Sequence, residues 1–286
     1  MRGDARSMKL LTARDEREAL RLYKRYPEAL PLAGGTDLMV GWNTGRLNGK
    51  TILDLSRLKD WARIRETPMG VWIGALATHT AIRVHPAVKS RFPLLAESSE
   101  TIGGRQIQNQ GTLGGNIANA SPAGDTFPAL AVYEAKIHTV SDAGRRVVPF
   151  SEIFAGVKQT TLQKGELIEG VELTTPSTEP CRQGFRKVGT RAAQAISKTV
   201  FAGLLWLNKD RTVDDIRLAL GSVATSVRRL EHIETSLTGQ KLDPKAITRA
   251  LNLLSRDIHP IDDIRSTRDY RMLVSRNLIT SFLNAR

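Results

Sequence analysis

An α+β chain in two parts is what this sequence predicts, and three observations carry the prediction. Short apolar runs such as TILDL (51–55) and VWIGAL (71–76) alternate with segments of helical period. A stretch with three prolines or glycines and little apolar content, TTPSTEPCRQG (174–184), interrupts the chain well past its midpoint and marks a boundary. Beyond it strands come first and helices last, the order of an antiparallel sheet covered by helices on one face. With 286 residues the chain can fill two or three such units.

Thr12 with Asp15 three residues on reads as a helix start, and the apolar positions Ala19, Leu20, Leu22, Tyr23 and Tyr26 recur at helical spacing until Pro27. LPLAG (30–34) is a short strand that breaks at Gly34 and Gly35, and TILDL and VWIGAL are buried strands. ATHTAIRVHP (77–86) is a short helix closed by Pro86, and PLLAESSETI (93–102) and FPALAVYEA (127–135) have helical character. AKIHTVSDAGRRVVPF (135–150) alternates, turns at Asp142, Ala143 and Gly144, and alternates again, which is a hairpin. GELIEGVELTTP (165–176) is a further strand. Residues 185–188 and 197–207 read as strands, and Asn208, Lys209 and Asp210 turn the chain into VDDIRLALGSV. From Val227 onward the period is helical: VRRLEHIETSL, PKAITRALNLL and TRDYRMLVSRNLITSFL. The domains expected are 1–176, with subdomains of about 1–56 and 57–176, and 177–286.

The formal charge of +13 calls for a look at anionic partners. The basic residues are scattered, however, and aromatic residues make up only 5%, so a base-stacking platform for nucleic acid is disfavoured. A solvated basic surface, or a basic face for an acidic partner or an anionic cofactor, remains. The lone Cys181 can close no internal disulfide and cannot hold an iron–sulfur cluster or structural zinc, and a reducing cytoplasm fits it best. No stretch approaches the roughly 18 apolar residues of a membrane span, and the N-terminus has no signal-peptide core. His79 and His85 lie six apart, which suits no helical or strand metal pair, and His138, His232 and His259 are isolated. Ser121 lies outside a G-x-S-x-G elbow, and the acidic pairs Asp214–Asp215 and Asp262–Asp263 read as solvated, so no catalytic residue is assigned.

Two segments stand apart: PLAGGTDL (31–38) and GTLGGNIANASPAGD (111–125). Each sets paired glycines beside a threonine, which suits a backbone bending closely around an anion such as a diphosphate, and equally suits a plain turn. The Thr36 and Thr112 hydroxyls can donate to phosphate oxygens. Asn116 can donate and accept, and Asp125 is an acceptor for ribose or adenine donors; each can also simply tie a turn, as Asp37 can cap a helix. G-x-G-x-x-G is absent, which disfavours a Rossmann dinucleotide fold.

Both segments, in this order, together with TILDL, GGRQIQNQG (103–111), GELIEGVEL (165–173) and FRKVGTRAAQAISK (185–198), resemble the FAD-binding (medium) subunit of the molybdenum hydroxylases of the xanthine dehydrogenase and carbon monoxide dehydrogenase type. The resemblance runs through nearly the whole chain. It implies a two-subdomain α+β FAD-binding fold of the vanillyl-alcohol oxidase (PCMH) type, followed by a C-terminal α+β domain that closes over the flavin end. On it, Leu32, Ala33, Gly34, Gly35, Thr36 and Asp37 contact the diphosphate from one side, and Thr112, Leu113, Gly114, Gly115 and Asn116 from the other. Ile102, Asn119 and Asp125 line the nucleotide, while Ile168 and Lys187 sit nearer the flavin ring, where Lys187 can stabilise negative charge. Ala195 departs from the family pattern, since many relatives carry Asp there. The implied function is an electron-transfer oxidoreductase subunit that takes electrons from a 2Fe-2S subunit, itself fed by a molybdopterin subunit, and passes them through FAD to NAD or another acceptor, with no activity on the organic substrate without those partners. The alternatives are a free-standing flavin oxidase or reductase of the same fold and, in another class, a basic nucleic-acid-binding protein.

Overall fold

Asp15 sets the first helix: its carboxylate accepts the Glu18 N–H at the N-cap of α1 (Glu16–Arg25), whose acidic first turn and basic last turn match the helix dipole. The computed structural model describes residues 3–285. Around α1, the strands β1 (Lys9–Thr12), β2 (Leu30–Leu32) and β3 (Thr51–Asp54) form a parallel sheet in the order β1-β3-β2. The short helix α2 (Leu38–Asn43) connects β2 to β3. Strand β1 has no counterpart in the sequence reading, because KLLT is half exposed and does not alternate.

The second sheet is antiparallel, in the order β4-β5-β10-β6-β7, from β4 (Ile64–Thr67), β5 (Gly70–Gly74), the hairpin β6 (Lys136–Ser141) and β7 (Gly144–Pro149), and β10 (Leu167–Thr174). Between β5 and β6 the chain makes six helices: α3 (His79–Val84), α4 (Pro86–Arg91), α5 (Pro93–Glu100), α6 (Arg105–Gln110), α7 (Leu113–Asn119) and α8 (Phe127–Val132). Pro86 closes α3 as expected, yet it also starts α4 at the first helical position, where its missing N–H costs nothing. A small hairpin, β8 (Phe154–Gly156) and β9 (Gln159–Thr160), precedes β10. Val71, Ile73, Leu113, Ile117, Ile137, Val171 and Leu173 are fully buried in one core. Each such side chain contributes roughly 1.5–3 kcal/mol by leaving water.

The C-terminal sheet, order β11-β12-β13-β14, is antiparallel and comprises β11 (Arg182–Val188), β12 (Thr199–Leu207), β13 (Val213–Gly221) and β14 (Arg228–Arg229). Helices α9 (Glu231–Leu237), α10 (Pro244–Leu251), α11 (Leu254–Asp257) and α12 (Arg268–Asn284) complete the chain. Strand β12, TVFAGLLWL, is buried on both faces, which explains its unbroken apolar run. Phe201 and Leu205 pack with Ile279 and Phe282 under the C-terminal helices, as expected. Val200, Ala202, Leu204 and Trp206 face the other way and join the main core, which includes α8, all of whose residues are buried.

Three local expectations are corrected. Arg228 and Arg229 pair with Leu220 and Ala219 as an edge strand, so helix α9 starts at Glu231 and not at Val227. Residues 182–184 belong to β11, because Arg182 pairs with Leu205 in the ladder. The run LGGNIAN, expected as a loop, is the helix α7, capped by the Thr112 hydroxyl accepting the Gly115 N–H.

Candidate functional site

The first glycine segment leaves β2 and turns before α2. Gly35 has φ +72°, a conformation glycine adopts without strain. The N–H groups of residues 33–37 donate to no acceptor among the described residues. Five consecutive free donors on a largely half-buried loop suit an anionic ligand such as a phosphate.

The second segment lies directly against the first. A Cβ on Gly34 would sit 1.7 Å from the Gln110 carbonyl oxygen, so only glycine lets the two backbones meet. Thr36 Oγ1 is 3.3 Å from the Cβ position of Gly111, and the Ala33 methyl is 3.9 Å from that of Gly115. The donors here are engaged: Leu113 N–H bonds Ala77 O, Gly114 N–H bonds Ala75 O, Gly115 N–H bonds Thr112 Oγ1, and Asn116 N–H bonds Thr112 O. Leu113 and Gly114 are buried, and a Gly114 Cβ would come within 2.6 Å of the Ala75 methyl. These two residues therefore seat α7 against β5 and present no free N–H.

Side chains link the segments across the gap. Asn119 donates through Nδ2 to Asp37 Oδ1 at 3.2 Å and accepts from Lys158 Nζ at 2.6 Å, and Lys158 lies 3.7 Å from Asp37. Asp37 stands at the N-cap of α2, but its carboxylate makes no cap bond. Asn116 Oδ1 accepts from the Thr126 hydroxyl at 2.7 Å.

Beside this seam lies a cavity of about 880 Å³ between the first part and the C-terminal part, within the range of ligand sites. Asp37, Asn119 and Asp125 line it together with Gly103, Gly104, Ser121, Lys158, 194–197, Ser222 and Arg271. Asp125 is buried, and Lys187 reaches it from β11: Nζ donates to Asp125 Oδ2 at 2.6 Å and to Thr101 O at 2.8 Å. Burial pushes the Asp125 carboxyl up to about 6, against the downward pull of Lys187 and a smaller one from Ser197. The Ser197 hydroxyl itself bonds Ser222 rather than the carboxylate, and Asp125 Oδ1 has no partner.

The predicted residues thus do not all converge. Leu32, Ala33, Gly34, Gly35, Thr36, Asp37, Gly115, Asn116 and Asn119 gather along the seam with Thr112; Asp125 lines the cavity, Ile102 adjoins its lining residue Gly103, and Lys187 bonds Asp125. Ile168 is 7% exposed in β10, packed in the sheet core next to a bulge. His79 is buried with its pKa lowered to about 4 by burial, consistent with a packed neutral ring.

Lys158 and Gln194 are among the cavity residues that sequence reasoning missed. Both have positive φ, 58° and 52°, and nothing in their residue type signals it. Gln194 N–H donates to Gly103 O at 3.2 Å and brings the segment carrying Ala195 onto the cavity wall. Among the described residues no cluster of metal-ligating side chains occurs, and no helix is long and apolar enough to cross a membrane.

The free donors of 33–37, the glycine seam and the orphaned Asp125 oxygen beside a cavity of about 880 Å³ fit a dinucleotide with a diphosphate. Comparison with known proteins agrees. Residues 6–176 match the family described as "FAD binding domain in molybdopterin dehydrogenase", and residues 185–285 match "CO dehydrogenase flavoprotein C-terminal domain". The glyceraldehyde dehydrogenase medium chain of Sulfolobus acidocaldarius is 33% identical over 91% of this chain and 92% of its own length. The carbon monoxide dehydrogenase medium chain of Hydrogenophaga pseudoflava is 29% identical over 90% of this chain and 89% of its own. A carbon monoxide dehydrogenase structure from that organism superposes with a TM-score of 0.91, at 26% identity, over 97% of this chain and 96% of its own. This chain therefore belongs to the FAD-binding subunits of the molybdenum hydroxylases, a family of oxidoreductase subunits whose cofactor is FAD.

Proposed function

We propose that this chain relays electrons within a heteromeric molybdenum hydroxylase: it receives them from a 2Fe-2S subunit, itself reduced by a molybdopterin subunit, and delivers them to NAD or another acceptor. The observation that carries the reading is the run of unpaired N–H groups at 33–37 laid against the second glycine segment. One cysteine in 286 residues leaves no means of binding an iron–sulfur cluster in this chain, so a partner must carry it. In this reading oxidation of the organic substrate belongs to the molybdopterin partner, and the isolated chain is inactive on it.

In this reading FAD supplies the exchange between paired and single electrons, and the protein supplies position. Ala33, Gly34, Gly35, Thr36 and Asp37 hold the diphosphate with backbone N–H groups, with Leu32 beneath them. Thr112, Gly115 and Asn116 face it from α7, which Leu113 and Gly114 keep seated. Asn119 and Asp125 accept from nucleotide donors, Ile102 packs near the ring system, Ile168 backs the site from the core of β10, and Lys187 sets the charge beside Asp125. We place the division at 1–176 and 177–286, with the first part split near residue 56; the change from the parallel sheet to the second and third sheets supports it.

The test is co-expression with candidate iron–sulfur and molybdopterin subunits encoded beside it. The expected result is a complex with one FAD per chain that reduces NAD or an artificial acceptor when given an aldehyde, purine or N-heteroaromatic substrate. Isolated chain that oxidises such a substrate unaided would sink the relay.

A further inference from the structure

Three other buried carboxylates in this protein show what a purely structural one looks like. Glu166 bonds Arg146 and Thr139 through one oxygen, and Arg146 and Gln163 N–H through the other. Glu234 takes both arms of Arg229, and the Leu218 N–H adds a third bond. Asp257 accepts from His232 on one oxygen and from Ile233 N–H on the other. Asp125 differs: Lys187 engages Oδ2, while Oδ1 is buried without a partner, the one such carboxylate oxygen among the described residues. A buried acceptor left open destabilises the fold, and here it belongs to a residue of the cavity wall.

Lys187 holds this arrangement from the opposite part of the molecule. It lies in β11, paired with Val200, and its ammonium bridges Thr101 at the end of α5 and Asp125 just before α8. Its side chain is 10% exposed and the carboxylate 9%, so little water screens the pair. With two acceptors already on the ammonium, Lys187 is occupied by protein.

We propose that Lys187 is a positioning residue: by gripping Asp125 and Thr101 together it fixes the C-terminal sheet over the cofactor site and keeps Asp125 Oδ1 available as an acceptor for an N–H or O–H donor of FAD. This deepens the FAD assignment and rests on it. The groups facing the carboxyl are the Lys187 ammonium from β11 and the Ser197 hydroxyl from the segment before β12. Burial alone drives the carboxyl toward its neutral form, and Lys187 is the charge that opposes it. Without that charge the Asp125 carboxyl shifts further toward its neutral form, and the cofactor meets a weaker, uncharged acceptor.

The experiment is FAD affinity of the full chain, read by quenching of flavin fluorescence, from about pH 5 to about pH 9. Wild type should bind with pH-independent affinity in the upper half of this range and weaken as the carboxyl protonates below about pH 6. Lys187→Met should bind about ten-fold more weakly near neutrality and recover toward wild type at the alkaline end; Lys187→Arg should keep the wild-type profile. Asp125→Asn should be weak and flat at every pH. Equal weakening of Lys187→Met across the range, or no weakening, overturns the proposal. If Lys187→Met does not fold, the wild-type titration against Asp125→Asn decides: an acid limb that survives in Asp125→Asn overturns it. Wild type with no FAD affinity at any pH would instead remove the FAD assignment beneath it.

Discussion

The N–H groups of residues 33–37 have no acceptor among the described residues, whereas those of 113–116 are all bonded inside the protein. In the sequence the two segments look alike, each a glycine pair beside a threonine. In the fold the first is an open turn and the second a capped helix. Glycine therefore serves two purposes here. At Gly35 it permits a positive φ in the segment of free donors, and at Gly34 and Gly114 it permits close approach of one backbone to another element. A glycine pair identifies a place where Cβ atoms are excluded; what excludes them is known only from the surroundings.

Gly34→Ala should break the arrangement most severely. The new methyl would lie 1.7 Å from the Gln110 carbonyl oxygen and 2.5 Å from its carbon, and neither atom is free to move away as a side chain is. The seam must open, at a cost of about 3 kcal/mol, and the two segments no longer address one ligand. Purified variant should contain almost no FAD and melt well below wild type. Normal FAD content by absorbance, with an unchanged melting temperature, would show that the seam does not form the site.

Much of this architecture was legible because local patterns and burial agree. The hairpin of β6 and β7 follows from alternation around Asp142 and Gly144, and the two-sided burial of β12 from its unbroken apolar run. The edge elements were not legible. KLLT in β1 and Arg228–Arg229 in β14 hold strand geometry only because β3 and β13 supply partners, which no window of the sequence contains. The same limit applies to the site. Asp125 could be singled out by type and motif, yet the contact with Lys187 joins residues 62 apart, and the placement of Lys158 depends on a hairpin turn with positive φ.

Gly35→Ala probes the free donors without closing the seam. At φ +72° an alanine is strained by about 1 kcal/mol, and its methyl meets only flexible atoms, Leu32 Cδ1 at 3.2 Å and Met39 Cγ at 3.3 Å. The loop relaxes by turning its N–H groups out of line. FAD affinity should fall about ten-fold, with a melting temperature lowered by only a few degrees. A variant that loses stability but not affinity would mean that the diphosphate is held elsewhere.

Gly114→Ala gives the smallest effect on the cofactor and the sharpest contrast. The added methyl would stand 2.6 Å from the Ala75 methyl and 2.7 Å from the Ala75 carbonyl oxygen, so α7 must lift from the end of β5. Overpacking of this kind costs about 2 kcal/mol. The Gly114 N–H is already bonded to Ala75 O, so no donor to the ligand is removed. Denaturant unfolding should register the loss, while FAD affinity, measured well below the melting transition, stays within about three-fold of wild type. Comparison with Gly35→Ala then separates the two uses of glycine: one variant loses affinity more than stability, the other stability more than affinity. Equal affinity losses in both would mean that α7 meets the diphosphate through its backbone, and the division of labour between the segments would fail.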